Sequence, residues 1–102
     1  MNDISITDSP ESHRYQLRVG DTDAAHAEYK LLKGAIKFTH TEVPPEFEGK
    51  GLGSQLAKFA LDDVRQRGLQ VIPECQFIAG YIRRHTEYLD LVSEENRRAF
   101  KV

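Results

Sequence analysis

The sequence predicts a mixed α/β domain of order β-β-β-α-β-α: three antiparallel strands, the last running through a glycine loop into a helix, then a strand and a helix. Three observations predict it. Positions 13–43 alternate apolar and polar residues in three runs separated by short turns, the period of half-buried strands. Gly49, Gly51 and Gly53 stand between the third run and an apolar stripe at helical spacing. A short apolar run at 69–72 follows, and a strand reached through a crossover helix pairs parallel with the strand before it.

The elements follow in order. Residues 1–12 are polar, carry Pro10 and read as a flexible leader. In the first strand Tyr15, Leu17 and Val19 oppose Arg14, Gln16 and Arg18, and Gly20-Asp21 turns the chain. In the second, Ala25, Ala27, Tyr29 and Leu31 alternate with His26, Glu28 and Lys30 before the turn at Lys33-Gly34. The third runs from Ala35 to Val43 and stops because Pro44-Pro45 removes two backbone donors. Leu56, Phe59, Ala60 and Val64 make the buried stripe of the helix, which Gly68 ends. The strand at 69–72 ends at Pro73, and Phe77, Ile78, Tyr81 and Ile82 repeat at helical spacing. A shorter pattern runs through Tyr88, Leu89 and Val92, so the domain is expected over 13–92 with a charged tail at 93–102 that could form a frayed helix.

At 102 residues the chain has room for one domain, with a hydrophobic fraction of 39% that supports a modest core and argues against disorder. Fourteen Lys and Arg against sixteen Asp and Glu give a net charge of −2 without a concentrated basic face, so no nucleic-acid partner is expected. No apolar run is long enough to span a membrane and the amino terminus lacks a signal-peptide pattern, so no membrane partner and a cytoplasmic location are expected. The lone Cys75 fits a reducing compartment. The histidines at 13, 26, 40 and 85 lack metal-site spacing, and no metal is assigned.

The glycine loop lets backbone approach a ligand, and the free N–H groups at a helix start favour an anion. It is neither a P-loop nor a dinucleotide fingerprint, because the third glycine of the latter is replaced by Ser54 or Leu56. Two readings stand: a pyrophosphate seated on the amides of Gly49 to Ser54, or a tight turn alone. On the third strand Ile36, Phe38, His40 and Glu42 fall on one face, which places two ionisable groups at the end of an apolar stripe. Partial burial there would suit Glu42 to act as a general base, directly or through water, against the alternative of a solvated strand-end carboxylate.

The segments His40-Thr41-Glu42-Val43, Glu48-Gly49-Lys50-Gly51-Leu52-Gly53 and Pro73 to Tyr88 together resemble the small, single-domain branch of the GNAT N-acetyltransferase superfamily. Glu48, Gly51 and Gly53 match the three named positions of its acetyl-CoA motif Q/R-x-x-G-x-G/A, with Glu in place of Gln or Arg. The last segment is similar to that branch's P-x-C-P-F-x-A-x-Y-I-x-R-H-P-E-Y pattern, with Gln76 and Thr86 in place of two prolines.

The resemblance implies a minimal GNAT-like fold and transfer of an acetyl group from acetyl-CoA to an amine on a small molecule, peptide or protein, by direct attack on the thioester. It also implies cofactor contacts from Val43, whose amide would meet the carbonyl oxygen, and from Glu48, Gly49, Lys50, Gly51, Leu52, Gly53 and Ser54. Cys75 would lie near the thioester, where it could accept acetyl, protonate the thiolate or simply fill space. Tyr81 is the alternative proton donor, or a core tyrosine. Arg83, Arg84 and His85 offset the dipole at a helix end, and Arg84 could instead reach a CoA phosphate. Glu42, Glu46, Glu48 and Glu74 are expected to form an acidic mouth suited to a cationic acceptor. The chain would work as a monomer or homodimer. The rival reading is a non-catalytic acyl-CoA-binding or interaction module on the same fold.

Overall fold

The computed structural model describes residues 3–102. Five strands form one sheet in sequential order: β1 (Ile4–Ser9), β2 (Arg14–Val19), β3 (Thr22–Leu32), β4 (Ala35–Glu42) and β5 (Gln70–Pro73). The first four pair antiparallel, and β5 joins β4 in parallel, in register from Ala35↔Gln70 to Phe38↔Pro73. The helices are α1 (Leu52–Gln66), α2 (Gln76–Arg84) and α3 (Glu94–Phe100). The expected mixed sheet with its parallel pair is therefore present.

One core joins the sheet to α1 and α2. Tyr15, Leu17, Ala27, Ile36 and Phe38 from the strands meet Leu56, Ala60, Leu61 and Val64 of α1 and Ile78 and Ile82 of α2, all fully buried. Phe59, which the apolar stripe assigned to the buried face, lies at its margin with 38% exposure and meets Tyr15 edge-on, while Leu61 takes the inner position. Gly68 ends α1 as expected. At φ +71° it takes the left-handed conformation, so that its N–H reaches Arg65 C=O and the next N–H, of Leu69, reaches Val64 C=O.

Two expectations are corrected. The segment expected as a flexible leader carries β1, paired with β2 from Ile4↔Val19 to Ser9↔Arg14, with Ile4 and Ile6 packed against the core; its first two positions lie outside the described residues. Asp8 of β1 is tied down by Tyr29, whose hydroxyl donates to its carboxylate at 2.5 Å, and by Arg67 at 3.3 Å. The charged tail forms α3, capped by the Ser93 side chain, which accepts from Asn96 N–H. The second correction concerns β4. Its pairing with β3 shifts between Tyr29↔Phe38 and Glu28↔His40, so Thr39 is an extra residue, a β-bulge. Beyond it the alternation reverses. Thr41 stands opposite the buried Ala27 on the core face, and His40 and Glu42 stand opposite Glu28 and His26 on the other.

Candidate functional site

The site grows from unequal strand lengths. Pairing of β5 with β4 stops at Phe38↔Pro73, where Cys75 N–H takes the Phe38 carbonyl at 2.8 Å and the chain turns into α2. Strand β4 runs on to Glu42 with β3 as its neighbour. The parallel pair thus opens into a cleft, and the start of α1 closes one side of it. An open pocket of about 470 Å³ lies there, walled by Thr41, Glu42 and Val43 from the end of β4, by the loop and first turn of α1 from Phe47 to Ser54 apart from Lys50, and by Phe77 of α2.

The loop is shaped by its glycines. Gly49 and Gly51 have φ +80° and +74°, a region in which L side chains are strained. Gly51 is the N-cap of α1, makes no side-chain cap, and is followed by a first turn with no acidic residue. The intrahelical ladder begins with Gln55 N–H on Gly51 C=O, so the N–H groups of Leu52, Gly53 and Ser54 have no partner within the helix. This end of a 15-residue helix is therefore a ready anion seat facing a pocket. Gly53 is small for a different reason: a Cβ there would stand 2.6 Å from Phe77 Cζ, so glycine lets the two helices close on each other.

The sequence-assigned residues divide into two sets. The pocket brings together Glu42, Val43, Glu48, Gly49, Gly51, Leu52, Gly53 and Ser54. Lys50 lies outside its wall and faces a smaller cleft with Ile4 and Val19. Glu42 is not partly buried as expected: its side chain is 59% exposed, with Oε1 3.5 Å from His40 Nε2, because the bulge turns it off the core face. Beside this pair, His26 Nε2 meets Glu28 Oε2 at 3.0 Å, and the two histidine rings are 6.3 Å apart. Of the four carboxylates expected at an acidic mouth only Glu42 and Glu48 line the pocket; Glu46 is absent from its wall, and so is Glu74. Glu74 lines a separate hollow with Lys30, Lys37 and Thr39.

Cys75 is buried and caps α2 through its C=O, which accepts from Ala79 N–H, while its Sγ lies 3.1 Å from Thr41 Oγ1. Tyr81 is outside the pocket wall. Its ring stacks on His85 at 4.1 Å, and burial raises the pKa of its hydroxyl. Arg84 is exposed at the last turn of α2, its Nη1 near Gly80 of the turn before. Thr41, Phe47 and Phe77 are site residues that sequence reasoning missed. Phe77 carried a signal, standing one helical turn before Tyr81, whereas Thr41 carried none, since its face depends on the bulge. Among the described residues no cluster of three or more His, Cys, Asp or Glu is arranged to hold a metal, and no helix is long and apolar enough to cross a membrane.

Residues 14–91 match the family model described as GCN5-related N-acetyl-transferase. The Protein NATD1 of Gallus gallus is 35% identical over 91 residues, covering 85% of this chain and 83% of that protein. The Protein NATD1 of Xenopus tropicalis is 30% identical over 91 residues, covering 85% and 84%. Among solved structures, a GCN5-like protein from Staphylococcus aureus, determined in solution by NMR, superposes with a TM-score of 0.70 over 91% of each chain. At 22% sequence identity that likeness is one of fold.

Proposed function

Because the chain belongs to the GCN5-related N-acetyltransferase family, it transfers an acetyl group from acetyl-CoA to an amine, and we propose that the cleft between β4 and the start of α1 is where it does so. The observation that carries this reading is the uncapped amino terminus of α1 opening into the pocket at the end of β4. Acetyl-CoA supplies an activated thioester and brings an anionic pyrophosphate.

The amides of Leu52, Gly53 and Ser54, with the left-handed backbone at Gly49 and Gly51, would hold the pyrophosphate. Glu48 is a carboxylate in the pocket wall, so phosphate recognition falls to backbone rather than to its side chain. Lys50 and Arg84, exposed cations outside the wall, would meet the remaining phosphate at a distance. The Val43 N–H, one residue past β4, would donate to the thioester carbonyl oxygen.

Glu42 would act as general base. Exposed at the rim, it takes the proton of an incoming ammonium directly or through one water, leaving a neutral amine to attack. Transfer is direct: the C–N bond forms as the thioester C–S bond breaks, the attacking nitrogen gives up its remaining excess proton, the CoA sulfur leaves as thiolate and takes up that proton through solvent, and no acetyl group resides on the protein. Tyr81 takes no part in this scheme, since it stacks on His85 away from the wall. The acceptor amine belongs to a small molecule, peptide or protein, the chain works as a monomer or homodimer, and the lone thiol supports a cytoplasmic location.

The test has two parts. Calorimetric titration with acetyl-CoA and with CoA is expected to give saturable binding, and a panel of amines with acetyl-CoA is expected to release free thiol above background hydrolysis. No heat at millimolar CoA would remove the cleft as the cofactor site. Binding without thiol release on any amine would favour a binding module.

A further inference from the structure

The hydrogen bond between Thr41 and Cys75 links the pocket to a buried thiol. Thr41 is part of the pocket wall, whereas Cys75 is 6% exposed and stands behind it, its Sγ 3.1 Å from Thr41 Oγ1. Each partner is held by backbone. Cys75 is pinned through its N–H to Phe38 C=O and through its C=O to Ala79 N–H. Thr41 is turned toward it by the bulge at Thr39, which puts it opposite Ala27 on the core face.

A hydroxyl donates one proton and accepts at two lone pairs. Either atom can donate in this contact; in the arrangement where Cys75 Sγ–H donates to Thr41 Oγ1, the threonine proton is left for another acceptor, and Thr41 is one of the residues that wall the pocket. A donor whose rotor is held by a neighbour before the ligand arrives is preorganised, the condition under which donors to a developing negative charge are most effective. Cys75, by contrast, is one layer removed from the pocket and already engaged.

We propose that Thr41 is a catalytic residue whose hydroxyl donates to the thioester carbonyl oxygen beside the Val43 amide, and that Cys75 is a positioning residue acting through Thr41. This rests on the acetyl-CoA reading of the cleft given above. No bond to Cys75 forms or breaks, and the Thr41 proton stays on its oxygen.

The test compares wild type with Thr41→Val, Thr41→Ser, Cys75→Ala and Cys75→Ser, using calorimetry with acetyl-CoA and with CoA, steady-state turnover of an acetylated amine, thermal melting, and intact mass after incubation with acetyl-CoA. Thr41→Val is expected to bind CoA within about twofold of wild type but acetyl-CoA about tenfold more weakly, with kcat down about 10²-fold. Thr41→Ser restores both to within about threefold, since the hydroxyl is what matters. Cys75→Ala lowers kcat about five- to tenfold and has no further effect in the Thr41→Val background, whereas Cys75→Ser stays near wild type. If Thr41→Val fails to melt cooperatively, Thr41→Ala supplies the same comparison against Thr41→Ser.

An unchanged ratio of acetyl-CoA to CoA affinity on loss of the hydroxyl overturns the proposal. So does a Cys75→Ala defect larger than that of Thr41→Val, or an acetyl group found on Cys75. A wild-type protein that binds neither acetyl-CoA nor CoA overturns the cofactor reading itself, an outcome separate from any difference among the variants.

Discussion

Gly53 and Phe77 are packed so closely that a methyl group on Gly53 would stand 2.6 Å from Phe77 Cζ. Phe77 is 36% exposed, so its ring has room to swing outward, and it walls the pocket. Gly53→Ala is therefore expected to leave stability within about 1 kcal/mol of wild type, the helix gain of alanine offsetting the displaced ring. CoA affinity should fall about tenfold, because the wall has moved. Calorimetry and thermal melting read the two effects apart, and in a Phe77→Ala background Gly53→Ala should no longer weaken CoA.

At Gly51 the constraint is the backbone. Nothing lies within 4 Å of where its Cβ would stand, yet φ is +74°. Gly51→Ala is expected to destabilise the fold by about 1–2 kcal/mol in chemical denaturation, while Gly51→Asn costs less, because asparagine visits the left-handed region more readily. Equal losses for the two would mean that the strain at this position is not conformational.

Glu42→Gln keeps the shape of the rim and removes the base. The expected outcome is a fall in kcat of about 10²-fold with CoA affinity unchanged. His40→Ala, which removes the neighbour 3.5 Å from Glu42, should change kcat far less, since both side chains are more than half exposed. Steady-state kinetics on the best amine acceptor decide between them.

The Asp8–Tyr29 bond adds a side-chain tie to the six-residue pairing that attaches β1 to β2. The Tyr29 hydroxyl donates to Asp8 at 2.5 Å, and burial followed by this bond raises its pKa. Asp8→Ala leaves that hydroxyl and one bond of Arg67 without an acceptor, at a cost of about 1–3 kcal/mol. Tyr29→Phe removes the donor while Asp8 keeps Arg67, so its cost is smaller, about 1 kcal/mol. Hydrogen exchange should show the amides of β1 opening faster in Asp8→Ala.

Two carboxylates set an acid limit. The Arg65 hydrogen bond lowers the pKa of Asp90 below its ordinary 3.8. Burial alone would raise that of Asp62, but bonds from Lys58 and Tyr88 outweigh it and lower it as well. A depressed folded-state pKa contributes stability that is present above 3.8 and lost as pH falls through the lower folded value. Denaturation midpoints should therefore drop as pH falls below 3.8, and Asp90→Asn should flatten part of that drop.

Much of the architecture was legible because it is written in local periods. The alternation through Tyr15, Leu17, Ala27 and Tyr29, the apolar stripe of α1 and the left-handed stop at Gly68 are short-range patterns, and each produced the element it announced. The alternation of Ile4 and Ile6 was present too. It was too short to outweigh the polar residues around it, and part of what holds β1 beside its pairing with β2 comes from distant partners, Tyr29 and Arg67.

By itself the sequence determined the glycine loop between strand and helix, and with it an uncapped helix start suited to an anion, since backbone freedom and missing side chains are properties of residue type. The tertiary structure decided which side chains face that anion seat. One unpaired residue, Thr39, reversed the alternation of β4, moved Glu42 out to solvent and brought Thr41 in against Cys75. A bulge is set by how two strands fit across the sheet, and no spacing within one strand records it.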